Sequence, residues 1–146
     1  RLCALRHIVY HAVDDTMHRD MRALFLDGLH KENVDGEALL WAIDRARRIG
    51  SPKHVIVVLS DGAPCDDATL HHNHPSFLWD HLKAVLAEAQ AADDLLLIGI
   101  GLDYDVGRLY QRAARLRFPG DIAPILLPTV AARLRDAMGG AGEDCT

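Results

Sequence analysis

The stretch His54-Val55-Ile56-Val57-Val58-Leu59-Ser60-Asp61-Gly62 decides the fold of this chain. Its five consecutive apolar residues lie between turn-forming residues, a pattern that is typical of a strand buried on both faces. A second run of this kind, Leu95–Gly101, follows an apolar helical stripe that extends from Phe77 to Ala89. A strand, a helix and a strand in this order predict two parallel strands joined by a right-handed crossover.

The same periodicities predict the remaining elements. On the amino-terminal side we expect a strand at Leu5–Tyr10, a helix over about 17–30, and a helix marked by Leu39, Leu40, Ile43 and Ala46 that closes at Gly50 and Pro52. On the other side we expect a helix over roughly 106–115, a strand at Ile122–Leu127 interrupted by Pro124, and a helix near 130–138. This alternation predicts an α/β fold with a three-layer, doubly wound and mostly parallel sheet, similar to a Rossmann fold.

Length and composition narrow the function classes. The 146 residues suffice for one domain, which we place at 1–138, and the glycine-rich end, 139–146, is predicted to be a flexible tail. No apolar run approaches the roughly 20 residues of a membrane span. A net charge of −5 and an aromatic content of only 5% argue against a nucleic-acid partner.

The cysteines and the first residue of the chain indicate the cellular compartment and the origin of the chain. Three cysteines without CxxC-type spacing indicate a reduced, cytoplasmic protein, and no leader peptide follows Arg1. The absence of an initial Met indicates that the chain was cut from a longer protein.

Acidic loops follow both buried runs. Asp61, Asp66 and Asp67 follow the first, and Asp103 and Asp105 follow the second. Because the carboxyl ends of parallel strands meet at one edge, these carboxylates are expected to converge there and to hold a divalent cation, most plausibly Mg²⁺. The alternative is a set of turns whose aspartates cap helices and stay in water.

Asp35 and the histidines each have two interpretations. Asp35 either caps the helix that follows it or faces the acidic edge and helps to hold the ion. His71, His72 and His74 either form a loop that binds zinc, nickel or cobalt, or are ordinary solvent-exposed side chains.

No catalytic residue is predicted. Ser60 lacks a Gly-x-Ser-x-Gly frame, and the acidic neighbours of Cys65 would raise the pKa of its thiol rather than activate it. Gly99 and Gly101 lack the third glycine of a dinucleotide loop, because Tyr104 stands at that position. We therefore expect no nucleotide to bind to this chain.

Several segments, taken together, resemble one family. They are Leu5–Tyr10, Leu29–Leu39 with its Lys-Glu-Asn-x-Asp-Gly-Glu-Ala-Leu string, Ser60–Leu70 with its Asp-Gly-Ala-Pro-x-Asp-Asp string, His81–Val85 and Ile98–Gly101. Over roughly residues 1–118 the chain is similar to the C-terminal von Willebrand factor A domain of the CobT subunit of aerobic cobaltochelatase.

This resemblance implies a metal-ion-dependent adhesion site. Such a site holds Mg²⁺ at the carboxyl edge of the sheet with three loops, and Asp61 matches the ligand of the third loop while Asp35 matches the second. The open coordination position then accepts a carboxylate from a partner protein, so the domain itself is non-catalytic.

The resemblance also implies a function. The family takes part in the ATP-dependent insertion of cobalt into a corrin ring during cobalamin synthesis. The implied partners are an AAA+ subunit that hydrolyses ATP and a large subunit that binds the tetrapyrrole.

The chain departs from the family pattern in three places. The Asp-x-Ser-x-Ser motif of the first loop is absent from the 146 residues. In the family it precedes the position of Arg1, so the sheet is expected to lack its first strand and helix, and Mg²⁺ is expected only with that segment present. Tyr104 replaces a usual His, and His71–His74 does not match the family.

Two other functions remain open at this point. The same module would also serve a different AAA+ ATPase. A small magnesium-dependent phosphoryl-transfer enzyme would use Asp61, Asp66 and Asp67.

Overall fold

A computed structural model describes residues 4–12, 27–28 and 32–139 of the chain. In chain order, its elements are helix α1 (Asp35–Arg47), strand β1 (His54–Ser60), helix α2 (Asp67–His71), helix α3 (Phe77–Ala91), strand β2 (Leu95–Leu102), strand β3 (Ala113–Leu116), a 3₁₀ turn (Pro119–Asp121), a π-helical turn (Ile122–Leu126) and helix α4 (Leu127–Gly139).

The described strands form one parallel sheet in the order β1-β2-β3. The register of β1 against β2 runs from His54↔Leu95 to Ser60↔Gly101. The register of β2 against β3 ends at Leu102↔Leu116. The three strands therefore end at one edge of the sheet, and the loops that leave β1 and β2 start side by side.

Side chains of β2 alternate between two cores because successive residues of a strand point to opposite faces. On one face, Leu97 packs with α1, α3 and the 106–110 turn; the buried members of this core are Leu39, Ile43, Leu82, Val85, Leu86, Ala89, Leu97, Val106 and Tyr110. On the other face, Leu96, Ile98 and Ile100 pack with Leu116 and with side chains of the π-helical turn and α4. Helices thus cover both faces, which confirms the three-layer α/β fold.

The predicted elements with long apolar patterns are confirmed: the helix marked by Leu39 and Ile43 is α1, the two unbroken apolar runs are β1 and β2, the helical stripe is α3, and the last helix is α4. Burial of β1 on both faces is wrong, because Val55 and Leu59 are 40% and 52% exposed. The core on their face is built from β2 and β3, and Val57 alone joins it from β1.

The helix predicted over 106–115 is wrong. Val106 and Tyr110 are buried at helical spacing, but they form a single turn in which the N–H of Tyr110 donates to the carbonyl of Val106 at 3.1 Å. The chain then enters β3, where the N–H of Gly99 donates to the carbonyl of Arg112 at 2.8 Å. Pairing with β2 thus overrides the local helical pattern.

The strand predicted at Ile122–Leu127 is also wrong, because this segment forms the π-helical turn. Pro124 has no N–H for a strand ladder, and Ile125 and Leu126 instead pack against the core beneath α4.

The strand predicted at Leu5–Tyr10 is wrong as well, since none of its residues lies in a strand. His7 stacks on the Trp41 ring of α1, with ring centroids 4.5 Å apart, so the segment packs against a helix. The helix predicted over 17–30 lies outside the described residues except for a turn at Asp27 and Gly28. The expected tail also lies outside them, apart from Gly139.

Gly99 is essential for the packing of Tyr110 on the sheet. A Cβ at position 99 would lie 2.3 Å from Cγ of the Tyr110 ring, which is far inside van der Waals contact. The Tyr110 ring can occupy this position only because residue 99 is a glycine.

We predict that Gly99→Ala lowers the free energy of unfolding by about 1–3 kcal/mol, because the added methyl group displaces the Tyr110 ring. Urea unfolding followed by circular dichroism measures the change. Gly62→Ala is the matched control, since a Cβ there meets no atom within 4 Å. Equal unfolding midpoints for the two variants would contradict the packing of Tyr110 against Gly99.

Candidate functional site

Asp61 lies in the turn that leaves β1. The hydroxyl of Ser60 donates a hydrogen bond to the carbonyl of Gly62 at 2.9 Å, which closes this turn around Asp61. The Asp61 side chain is exposed at the carboxyl edge of the sheet. This is the position at which parallel α/β sheets bind ligands.

Asp35 is the first residue of α1, and it is half-buried. The capping interpretation is wrong, because the N-cap position is Val34 and no side chain caps the helix there. The Asp35 carboxylate instead accepts a hydrogen bond from the amide of Asn33 at 2.8 Å. Its position in the first turn still suits the positive end of the helix dipole.

Asn33 joins the two loops that carry Asp35 and Asp61. Its backbone forms a two-way bridge with Cys65, with N···O distances of 2.8 and 3.0 Å. Its side-chain amide also donates to the carbonyl of Ala63 at 3.5 Å. The loop after β1 is thereby tied to the start of α1, although the two are thirty residues apart in the chain.

The two carboxylates act on each other. Burial raises the pKa of Asp35, the hydrogen bond from Asn33 opposes this effect, and the negative charge of Asp61 raises the pKa further. The charge of Asp61 therefore reaches Asp35, and ionisation of the half-buried Asp35 carboxyl group is disfavoured.

Tyr110 belongs to the same environment. Burial and then the charge of Asp35 raise the pKa of Tyr110 to about 12. A cavity of about 310 Å³ lies between α1, β1 and the 106–110 turn, and Asp35, Ser60 and Tyr110 line it. At neutral pH the phenol is a neutral group beside Asp35.

The sequence analysis missed Asn33 and Tyr110. Asn33 stood within a segment that was singled out only for Asp35, and its pairing with Cys65 left no local signal. Tyr110 lay within the helix that was predicted over roughly 106–115. The spacing of Gly99 and Gly101 in a buried strand was the one available signal that another group approaches the sheet closely.

Asp66 and Asp67 bind groups close to them. Asp66 is buried and caps α2 by accepting a hydrogen bond from the N–H of Thr69 at 2.8 Å. The N–H of Asp67 donates to Glu32 at 2.9 Å, and the Asp67 carboxylate lies 3.9 Å from Sγ of Cys65. The capping of α2 by Asp66 agrees with the alternative interpretation of the acidic loops, in which aspartates cap helices.

Asp103 and Asp105 likewise have local partners. Asp103 forms an ion pair with Arg115 at 2.8 Å and adopts a left-handed backbone, with φ 50°. Asp105 accepts a hydrogen bond from the N–H of Gly107 at 2.9 Å.

The predicted convergence of Asp61, Asp66, Asp67, Asp103 and Asp105 on one ion is not found in the structure. Among residues 4–12, 27–28 and 32–139, no group of three or more His, Cys, Asp or Glu side chains is arranged to hold a metal ion. The interaction that remains is that of Asp61 with Asp35, whose pKa burial raises and the charge of Asp61 raises further.

The histidine segment is partly helical. His71 is the last residue of α2, and its ring meets the His72 ring edge-on with centroids 5.0 Å apart. Nδ1 of His72 lies 3.1 Å from the carbonyl oxygen of Ala68, and Nδ1 of His74 lies 2.9 Å from Oγ of Ser76. All three side chains are exposed, and metal binding by them stays a prediction.

Cys65 is an exposed free thiol. Desolvation and the charges of Asp67, Glu32 and Asp66 raise its pKa. This direction confirms the expectation that its surroundings do not activate the thiol.

The fold and the site define a class of protein. A parallel sheet with helices on both faces is consistent with a von Willebrand A-type domain. The family model of the cobalamin biosynthesis protein CobT VWA domain matches residues 1–133. The chain belongs to this family, as its sequence motifs indicated, and a role in cobalamin biosynthesis follows. No solved structure matches the chain.

The described helices also bear on the membrane question. None of them combines the length and the apolar character that a membrane span needs.

We predict that Asp61→Asn lowers the pKa of Asp35, because it removes a negative charge that now opposes ionisation of Asp35. A ¹³C NMR titration of the Asp35 carboxyl group in metal-free buffer measures this change. Asp67→Asn is the control, since Asp67 contacts Cys65 instead. An unchanged pKa in Asp61→Asn would show that the two carboxylates do not interact.

We also predict that Asp35→Asn makes the metal-free protein more stable at neutral pH. The folded state holds the Asp35 proton more tightly than the unfolded state, so wild-type stability falls as the pH rises through the raised pKa. Below the usual pKa of an aspartate the difference from the variant should disappear. Urea unfolding across this pH range measures it, with the exposed Asp93→Asn as control. A variant less stable than wild type at neutral pH would contradict the prediction.

Proposed function

We propose that this chain is the docking domain of a CobT-like cobaltochelatase subunit. In this role it supports ATP-dependent insertion of cobalt into a corrin ring through an ion-mediated contact with partner proteins. The observation that carries the proposal is the bridge between Asn33 and Cys65, which ties together the loops that carry Asp35 and Asp61 at the carboxyl edge of the sheet, where the charge of Asp61 reaches Asp35. Membership in the CobT family supplies the pathway.

The charge of the pair favours a cation between the two loops. Asp35 and Asp61 repel each other, and a divalent ion relieves that repulsion. Carboxylate oxygens suit Mg²⁺, which commonly binds through one or two carboxylates and keeps several waters. The donor chemistry of the pair therefore fits Mg²⁺.

The pair leaves coordination positions for other oxygens. Asp35 and Asp61 would hold the ion, and its octahedral shell needs further ligands. An Asp-x-Ser-x-Ser segment, water and a carboxylate of the partner protein are the sources that we propose. When bound, the ion would supply a positive charge that links a partner carboxylate to this domain.

The proposed division of labour follows from the chemistry of these residues. Asp35 and Asp61 would bind the ion and orient the partner. We propose that an AAA+ subunit hydrolyses ATP, that a large subunit binds the tetrapyrrole, and that cobalt is the substrate. This domain would couple the two partners.

We predict that Mg²⁺ is required for the full-length protein to capture the AAA+ subunit of the same chelatase. Capture measured by biolayer interferometry should be lost in EDTA and in Asp61→Asn, and should be weakened in Asp35→Asn. Mg²⁺ at about a hundred times its dissociation constant should raise the Tm of the wild-type protein by about 5–10 °C, and Asp61→Asn should abolish this rise.

Asp93→Asn, which removes the same charge at an exposed site after α3, is the matched control and should keep both responses. Capture that is equally strong in EDTA would refute ion-mediated docking. A rise in Tm that persists in Asp61→Asn would refute the assignment of Asp61 as an ion ligand.

A further inference from the structure

Gly36, in the first turn of α1, lies against a side chain of α3. A Cβ at position 36 would lie 2.5 Å from Nδ1, 2.9 Å from Cε1 and 3.3 Å from Cγ of the His81 ring. Gly36 is buried, and His81 is half-buried. The imidazole ring of His81 therefore occupies the space that a side chain at position 36 would need.

A flip of the His81 ring would not open this space. Because Cγ itself lies 3.3 Å from the Cβ position, rotation about the Cβ–Cγ bond only exchanges Nδ1 for Cδ2. A larger residue at position 36 requires either that the whole ring leaves or that the first turn of α1 moves. This contact gives a physical reason for a glycine inside a helix, where alanine is otherwise preferred.

The part of α3 that carries His81 is held in place by the core. Leu78 and Leu82, which lie on either side of His81 in the helix, are 2% and 3% exposed. Leu82 packs with Leu39 of α1 in the same core. The backbone at His81 is therefore fixed, and its ring presents a defined surface to α1.

Asp35 lies between two constraints. Before it in the chain, Asn33 is bridged to Cys65 and donates a hydrogen bond to the Asp35 carboxylate at 2.8 Å. Directly after it, Gly36 lies against His81. Adjacent Cα atoms are held about 3.8 Å apart, so a displacement of residue 36 also displaces residue 35.

We propose that His81 is a positioning residue for Asp35. The volume of its ring sets the place of the first turn of α1, and thereby the place of the Asp35 carboxylate at the carboxyl edge of the sheet. The inference rests on the proposed function, in which Asp35 binds Mg²⁺, and it adds a residue outside the acidic loops that determines affinity for the ion. Replacing a residue that orients a metal ligand typically weakens metal binding about ten- to a hundredfold.

The test combines metal binding with a signal from the metal-free protein. Titration calorimetry with MgCl₂ measures the Kd of the full-length protein, and a ¹H–¹⁵N spectrum in EDTA records the side-chain amide of Asn33, which donates to Asp35. Gly36→Ala and His81→Ala should each weaken Mg²⁺ binding about tenfold and shift the Asn33 amide signal. His81→Phe keeps a ring without its nitrogens and should preserve both properties.

A double variant tests the contact itself. When Gly36→Ala is combined with His81→Ala, the added methyl group no longer meets an imidazole ring. The Mg²⁺ affinity and the Asn33 signal should then lie closer to those of the wild-type protein than they do in Gly36→Ala alone, because residues in contact have non-additive effects.

Three control variants make similar changes elsewhere. His72→Ala removes an exposed ring, and Gly120→Ala adds a Cβ that meets no atom within 4 Å. Ile43→Val removes a buried methyl group from the same face of α1 and lowers stability without touching the first turn. All three should keep both properties. Circular dichroism verifies folding, and if Gly36→Ala does not fold, the comparison of His81→Ala with His81→Phe decides the matter.

Several results would overturn the positioning role. They are an unchanged Asn33 signal in Gly36→Ala and His81→Ala, additive losses in the double variant, equal losses in His81→Phe, and equal losses in Ile43→Val. If the wild-type protein does not bind Mg²⁺, the proposed function fails, and the Asn33 signal in EDTA still tests the positioning of Asp35. If wild type and variants bind Mg²⁺ equally, the positioning role fails and the proposed function stands.

Discussion

Parallel pairing of β1 with β2 is the constraint on which the rest of this structure depends. The register from His54↔Leu95 to Ser60↔Gly101 makes both strands end at the same level, so their loops leave the sheet side by side. The pairing also places β2 between β1 and β3, where both of its faces need apolar cover. Leu97 on one face and Ile98 on the other meet that need through two separate cores. The acidic edge and the three-layer architecture thus have one origin.

The parts of the fold that could be predicted from the sequence are those with strong local periodicity. The β-branched run of β1 and the apolar stripe of α3 need no distant information to be recognised. The segment after Gly101 could not be assigned in this way, because the spacing of Val106 and Tyr110 fits a helix and a single turn equally well. The hydrogen bond from the N–H of Gly99 to the carbonyl of Arg112 favours the single turn followed by a strand. It joins residues that are distant in the chain, so a local sequence pattern cannot reveal it.

In the candidate site, too, only the features that have a local sequence signal could be predicted. Asp35 and Asp61 could be predicted because each follows or begins a recognisable element. The other acids instead bind the nearest donors. Asp66 accepts a hydrogen bond from the N–H of Thr69, Asp105 accepts one from the N–H of Gly107, and Asp103 forms an ion pair with Arg115. Such partners lie a few residues away or on the adjacent strand, so they cost little loop-closure entropy. These partners hold the carboxylates at separate places along the edge, so the acids do not converge on one point.

The proposed function therefore depends on Asp35 and Asp61. In the folded domain, burial of Asp35 and the charge of Asp61 both disfavour ionisation of the Asp35 carboxyl group. The bridge between Asn33 and Cys65 nevertheless holds the two loops together. A structure that maintains like charges at a cost gains free energy from any cation that binds them, since binding to the folded state alone stabilises that state. In the proposed function, ion binding would thereby link domain stability to partner docking at one edge of the sheet.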